Sequence, residues 1–348
     1  MPRRLVPVVL TTLLVLFAAA ARAAAPAGGA IERTYDVRDL AIEIPDFNDA
    51  PELGIEQPRP APEPAPAEQG KSAEALTKEL IGLLRRVVPA AELGDAHLVA
   101  EKDGRLYLRG AEAAHSAVAE ALDGLRRRRM AQVALEARLV RPDAKSLDQI
   151  AAEAPALARK LHLAAFRGGD RAGTALTEGE AETLRQTAGV TSAPRMTVFT
   201  GQNAYVLTAT QRAYVASVLR KVGADGADAF EGVRGVVGSG VVFSARATAA
   251  PEGKSAAVHG RVSLTTLYAM ADQPAPGVPR RPDLKVQVPD VGTETFELNA
   301  VAPDGGFLLF GVTDTKRPNP AAGAAEQGPL YLVLRATLIP PRIPASVH

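Results

Sequence analysis

Cysteine and tryptophan are absent from this chain, and aromatic residues make up only 4% of it. Without cysteine there is no disulfide framework, no thiolate nucleophile and no cysteine-based metal site. Excess charge is missing too. The 40 basic residues against 39 acidic ones leave a formal net charge of +1, so no global field draws in nucleic acid or an anionic membrane. Beyond the N-terminus no apolar run approaches the roughly 20 residues of a spanning helix. Any membrane crossing by the rest of the chain would have to use β structure.

What is present is a chain of 348 residues, 47% hydrophobic, rich in Ala, Val and Leu. That length allows real cores and suggests about two domains. Arg3 and Arg4 precede an apolar stretch from Leu5 to Ala20, and Ala21-Arg22-Ala23 or Ala23-Ala24-Ala25 offers small residues for cleavage. This pattern predicts a cleaved export signal over residues 1–25, and no Cys follows it to carry a lipid anchor. Residues 26–70 read as an N-terminal strand, Ile31 to Leu40 with Ile42 and Ile44 extending it, and then a spacer. The spacer, Pro58 to Pro66, alternates proline with other residues and reads as an extended polyproline linker.

Residues 71–130 read as a small α/β unit. Ser72 is placed to cap a helix with apolar positions Leu76, Leu80, Leu83, Leu84 and Val87, stopped by Pro89. His97 to Ala100 and Arg105 to Leu108 flank the turn Lys102-Asp103-Gly104, and Ala111 to Arg129 makes a second helix. Gln132 to Val140 alternates as a strand, and the order helix, strand, strand, helix, strand predicts one sheet face covered by two helices. The basic run Arg126 to Arg129 sits at a helix C-terminus, where the macrodipole favours cations. No aromatic residues alternate with it to stack bases, so nucleic acid is not an expected partner.

After a helical stretch, Leu147 to Leu161 and Glu178 to Ala188, the chain turns to sheet. Pro194 blocks helix continuation, Arg195 to Phe199 favours a strand, Gly201-Gln202-Asn203 supplies a turn, and Ala204 to Leu207 returns extended. This predicts a β-hairpin. Gln211 to Val218 fits either a continued strand or a helix. In the next pair of segments Val241, Phe243, Ala245, Ala247 and Ala249 share one face, and across a Pro251 to Lys254 turn so do Val258, Gly260, Val262 and Leu264. Such alternation fits a half-buried soluble hairpin and a barrel strand equally well. A Pro-rich loop, Pro274 to Pro282, precedes a second predicted hairpin: Thr293 to Val301, a turn at Pro303-Asp304-Gly305-Gly306, and Phe307 to Val312. Tyr331 to Ile339 makes a last strand, ended by Pro340-Pro341. The whole is an α+β chain with a β-rich C-terminal half over residues 131–342 and a tail at 343–348.

No catalytic constellation emerges. None of His97, His115, His162, His259 and His348 has a two-histidine helical spacing or a paired carboxylate beside it, so no metal centre, triad or cofactor is expected. Gly238-Ser239-Gly240 has phosphate-loop residues but precedes a strand rather than a helix, and crowding relief at a sheet bend accounts for its glycines. The chain is not expected to be an enzyme.

Taken in order, several short motifs resemble the secretin family, the ring-forming β-barrel proteins of type II and type III secretion systems. They are Ala193-Pro194-Arg195 with Thr200-Gly201-Gln202-Asn203-Ala204, Gly240-Val241-Val242-Phe243, and Val288-Pro289. Val301-Ala302-Pro303-Asp304-Gly305-Gly306-Phe307 to Gly311 and Leu332 to Ile339 complete the series. The α/β unit is similar to the periplasmic ring-building domains that precede the secretin barrel. The resemblance implies an exported protein of the outer membrane or periplasm of a Gram-negative-type cell, assembling as a homo-oligomeric ring with other secretion components. It gives Pro194, Gly201, Gln202, Gly240, Pro289, Pro303, Asp304, Gly305 and Gly306 structural roles in assembly. One segment departs from the family: Thr313 to Gly328 is polar where secretins carry Leu-Leu-Gly and Ile-Pro elements of the gate and rim. A periplasmic structural or adaptor protein with the same fold and no pore is the alternative expectation.

Overall fold

The computed structural model describes residues 30–56, 71–101, 103–166, 171–222, 228–276, 283–317 and 328–341. The expected export signal, the Pro58 to Pro66 spacer and the tail at 343–348 lie outside the described residues.

In chain order the elements begin with β1 (Ile31–Asp36), β2 (Ile55–Glu56), α1 (Ala73–Val87), α2 (Ala90–Leu93), β3 (His97–Ala100), β4 (Arg105–Gly110) and α3 (Glu112–Arg129). Then come β5 (Gln132–Val140), α4 (Ala144–Glu153), α5 (Pro155–Phe166), β6 (Thr174–Leu176), α6 (Glu178–Ala188) and β7 (Arg195–Phe199). The chain closes with β8 (Asn203–Val222), β9 (Asp228–Ala249), β10 (Ser255–Pro274), β11 (Lys285–Pro303), β12 (Phe307–Gly311), β13 (Asp314–Lys316) and β14 (Tyr331–Ile339). The chain is thus α+β and rich in strand.

A small N-terminal module has a three-stranded antiparallel sheet, order β1-β4-β3, with α1 and α3 on one face. Ser72 caps α1 by accepting the Ala75 N–H, and Leu80, Ile81 and Leu84 drive its apolar side into a core with Leu106, Leu108, Val118 and Leu122. The third strand corrects the expected order. It is β1, paired with β4 from Ile31↔Gly110 to Asp36↔Arg105, while Gln132 to Val140 leaves for a larger sheet. Local alternation in β5 says that it is a strand and carries no information on which edge receives it. The basic run of α3 helps to fix β1's exit: Arg126 pairs with Asp39 at 2.7 Å, and Arg129 donates to the carbonyls of Leu40 and Ile42.

The C-terminal part has three layers. A basal sheet, order β6-β12-β14-β5-β7, carries α4, α5 and α6 on one face. Ala154 and Pro155 break the first expected helix into α4 and α5, and Thr177 and Glu180 form a capping box that starts α6. The other face of the basal sheet packs on a sheet of long strands through one apolar core. Leu135, Leu139, Phe310, Leu332 and Leu334 meet Val241, Phe243, Val258, Val262, Phe296 and Leu298. The alternation read from the sequence is the one buried here: Val241, Phe243, Ala245 and Ala247 are each at most 2% exposed.

The long strands run 20, 22, 20 and 19 residues, about twice the length of the segments that alternate in the sequence. Gln211 to Val218 is strand, inside β8. Near the core β8, β9, β10 and β11 form a continuous antiparallel sheet. At Gly240 the sheet forks. The β9–β10 ladder ends at Gly240↔Thr265, and beyond it β8–β9 and β10–β11 continue as two separate arms. Tyr214, Val237 and Val291, with Leu267 and Met270, pack the arms together.

Candidate assembly surface

The residues singled out in the sequence gather at two places. The first is the end of the molecule where the chain passes between sheets. Neither expected hairpin there is a paired hairpin. β7 pairs with β5 in the basal sheet and β8 pairs with β9 in the long sheet. Likewise β11 pairs with β10, while β12 pairs with β14 and β6. Each turn is a corner, one leading into the long sheet and the other leading out.

At the entry corner Pro194 is buried and its carbonyl accepts the Ala137 N–H, setting β7 beside β5. The Gln202 N–H closes a turn on the Phe199 carbonyl at 2.9 Å, and Gly201 has φ +80°. Among the described residues every positive φ belongs to glycine. A turn with positive φ only at its third position is of type II character, which splays its flanking strands rather than matching their twist. That is the physical reason why the predicted hairpin opens into a corner. Gly201 N–H donates to Ala247, Thr200 N–H to Ala131, and Ala249 N–H to Thr200 Oγ1, so the corner stitches both sheets together. Gln202 bonds the Phe199 N–H through Oε1 and the Pro45 carbonyl through Nε2.

At the exit corner the Gly306 N–H donates to the Pro303 carbonyl and Gly305 has φ +70°. Asp304 accepts the Leu338 N–H at 2.7 Å, and the Gly305 N–H donates to Ala336. Since β14 lies beside β5 with Ile339 opposite Gln132, both corners sit at one end of the sandwich.

The second place is the fork. Gly240 has φ +147°, and a Cβ there would run into the Thr208 carbonyl oxygen of β8. Pro289 lies inside β11 opposite Met270, next to a bulge that leaves Tyr268 unpaired between Leu267 and Ala269. The bulge on β10 loosens the ladder near where the arms part, while Pro289, an odd-numbered residue of β11 like the outward-facing Thr295 and Asn299, places its missing N–H on the outer edge and removes no bond to β10.

Between these places lie the two outer edges of the long sheet. Along β8 the Asn203 N–H and carbonyl bond Asp46 and Phe47, and the Val215 N–H bonds the Gln287 side chain. From Asn203 to Val215, the odd-numbered residues of β8 therefore point their backbone groups away from β9, and a bulge at Ala216 reverses the parity beyond it. Past Asn203 no strand pairs with that edge among the described residues, and Leu207, Leu219 and Val222 are exposed on it. Among the described residues the other edge, on β11, is strand-paired only at Thr293 to Thr295, where β13 lies against it, and the Asn299 N–H donates to the Arg171 carbonyl.

Sequence reading missed two features. Residues 43–56 contain Glu43, Asp46, Asp49, Glu52 and Glu56 with no basic residue, and they cross the β8–β9 arm. Asp46 pairs with Arg246 at 3.1 Å, and β2 joins β9 at Val236 and Val237, on the side that β10 vacates. The charge pattern marked this stretch but not its destination. The other is a half-buried polar cluster on β11. Arg317 makes a two-pronged pair with Asp290 (3.0 and 2.6 Å) and lies 4.0 Å over the Tyr268 ring. Arg141 pairs with Glu294 and donates to the Gly328 carbonyl. Burial, with smaller electrostatic effects from Glu294 and its neighbours, pushes the Tyr268 hydroxyl up, so it stays neutral beneath Arg317.

Among the described residues no group of three or more His, Asp or Glu is placed to hold a metal ion. His115 is buried in the small module, its ring between the Tyr35 hydroxyl and the Ile31 carbonyl. No described helix is long and apolar enough to cross a membrane, which leaves β-barrel crossing open.

No family model matches the chain, and no curated protein matches it. Among solved structures it is similar to the type II secretin GspD of enteropathogenic Escherichia coli. That match has a TM-score of 0.33 and 13% identity over 76% of this chain and 84% of that one. It is also similar to the InvG secretin domain β-barrel from the Salmonella SPI-1 injectisome, with a TM-score of 0.29 and 12% identity over 92% and 90% of the two chains. A third is ExeD of Aeromonas hydrophila, with a TM-score of 0.31 and 14% identity over 78% of this chain and 59% of that one. Likenesses at this level carry no function by themselves.

Proposed function

We propose that this chain is a subunit of a secretin-like ring whose long strands join, copy beside copy, into an outer-membrane channel for protein export of the type II or type III kind. The observation that carries this reading is the pair of open edges on one long-strand sheet. A free edge is a template for pairing and is normally blunted or covered. Closing the sheet on itself removes edges altogether, yet β8 and β11 of one chain lie at opposite sides of the same sheet. Because β8–β9, β9–β10 and β10–β11 are all antiparallel, β8 and β11 run in opposite senses. The β8 of one copy can therefore extend the next copy's sheet at β11 without breaking its antiparallel order. Head-to-tail contacts of this kind close into rings when the rotation closes. Strands of about 20 residues reach roughly 70 Å at ~3.4 Å per residue, well beyond a bilayer's hydrocarbon core.

On this reading the nine residues named from the sequence act through architecture. The corners fix the sandwich from which the strands rise, Gly240 sets where the arms part, and Pro289 lies on the outer edge of β11 beside the bulge. The protein is exported, and its partners are further copies and other secretion components.

One observation favours the alternative of a periplasmic structural or adaptor protein without a pore. The polar segment that replaces the secretin gate and rim elements supplies β13, which covers part of an edge. Fractionation separates the two readings. Heat-resistant oligomers in the outer-membrane fraction with conductance in planar bilayers support the channel, and a soluble monomer with specific pull-down partners supports the adaptor.

A further inference from the structure

β13 lies midway along β11. It pairs Asp314 to Lys316 with Thr293 to Thr295 and divides the remaining edge into residues 285–292 and 296–303. Its hold is local but well anchored. The Thr313 N–H and hydroxyl both donate to the Thr295 carbonyl, at 2.7 and 2.8 Å. One residue beyond β13, Arg317 closes on Asp290, whose side chain is only 4% exposed, and stacks on Tyr268. Tyr268 in turn packs against Gly292, where any Cβ would collide with its ring. By contrast the side chains of Asp314, Thr315 and Lys316 are all exposed, so little apolar burial holds the strand itself.

We infer that residues 313–317 form a latch that masks the β11 edge in the free subunit and leaves when the β8 strand of a second copy pairs there. This inference rests on the ring reading above. A neighbour's long strand cannot pair continuously with β11 while β13 occupies its middle. The exchange gives up three paired residues and opens a longer run of β11 for pairing with β8, interrupted at Pro289, which has no N–H, and at Asn299, whose N–H is held by the Arg171 carbonyl. Covering an edge with a short, charged segment is also how free subunits avoid premature association. Arg317 is the clasp, because it ties the latch to a carboxylate buried in the strand that the latch covers.

The absence of cysteine allows a direct test in the full-length protein. Thr295 and Asp314 are directly opposed, a spacing a cross-strand disulfide can bridge. The double variant Thr295→Cys/Asp314→Cys, purified as monomer, is incubated in detergent with and without reductant, and ring formation is followed by heat-resistant gel bands and electron microscopy. The oxidised form should remain monomeric and the reduced form should assemble at least about tenfold faster, equivalent to ~1.4 kcal/mol of barrier. Arg317→Gln, which loosens the clasp without a covalent lock, should assemble faster than wild type. Rings from the oxidised form at the wild-type rate, or no acceleration in Arg317→Gln, overturn the latch while leaving the ring intact. Failure of wild type and reduced protein alike to form rings overturns both.

Discussion

Two glycines need their lack of a side chain for different reasons, and the difference can be measured. Gly201 has φ +80° with open space where a Cβ would stand, whereas Gly240 combines φ +147° with direct obstruction by the Thr208 carbonyl. Gly201→Ala should cost roughly 1–2 kcal/mol, the strain of a left-handed L-residue. Gly240→Ala should cost more than the ~1–3 kcal/mol of backbone strain alone, because the β8–β9 ladder must also shift. Chemical denaturation of the two variants checks the order, and equal losses would contradict the fork geometry. Glu136 gives a second prediction. Burial alone would raise its pKa, but hydrogen bonds from Arg138 and Arg195 (2.6 and 2.8 Å) leave it lowered. Its stabilisation of the β5–β7 pairing is therefore complete above the unfolded value of 4.5 and is lost as pH falls through the depressed folded value. The stability difference between wild type and Glu136→Gln should shrink across that acid window and stay constant from pH 6 to 8. At this scale the sequence was partly legible. Gly201 and Gly305 announced turns because turn chemistry is local, while Arg317 and Asp290 gave no sign, because they lie 27 positions apart and only the sheet brings them together.

The strands were legible as strands and not as partners. Phe199 and Asn203 flank a good turn sequence, so a hairpin was the natural reading, yet β7 pairs back to β5 and β8 pairs on to β9 instead of with each other. A two-residue period identifies a buried face and is silent on the edge, and the edge decides topology here. The same limit hid β1 as the third strand of the small module. It also hid the upper halves of β8 and β9, where few side chains are buried and alternation fades. The free edge of β8 yields a prediction of its own. Leu207 points its N–H outward, so Leu207→Pro removes no bond to β9, and proline is tolerated on an edge strand whose N–H faces solvent. Thr208 points inward, and Thr208→Pro removes a ladder bond at a cost of about 1 kcal/mol or more. Leu207→Pro should keep the monomer's circular dichroism while losing oligomers, and Thr208→Pro should lower the unfolding midpoint itself. Normal assembly by Leu207→Pro would remove the β8 edge from the interface.

At the scale of the whole molecule, the small module, the helix-backed basal sheet and the forked long sheet form a graded structure, with its best-buried core at one end and its least-covered strands at the other. The acidic segment 43–56 ties the first to the last by crossing the β8–β9 arm, an arrangement that neither its charge nor its composition announced. One chain of this design leaves its longest sheet unfinished, and on the proposed reading copies of itself finish it with matching strand order. The most direct measurement is electron microscopy of the native protein extracted from membranes in mild detergent. Closed rings, with one long-strand sheet per copy, are the predicted result. A homogeneous monomer recovered from the periplasmic extract, with no ring in the membrane fraction, would contradict it.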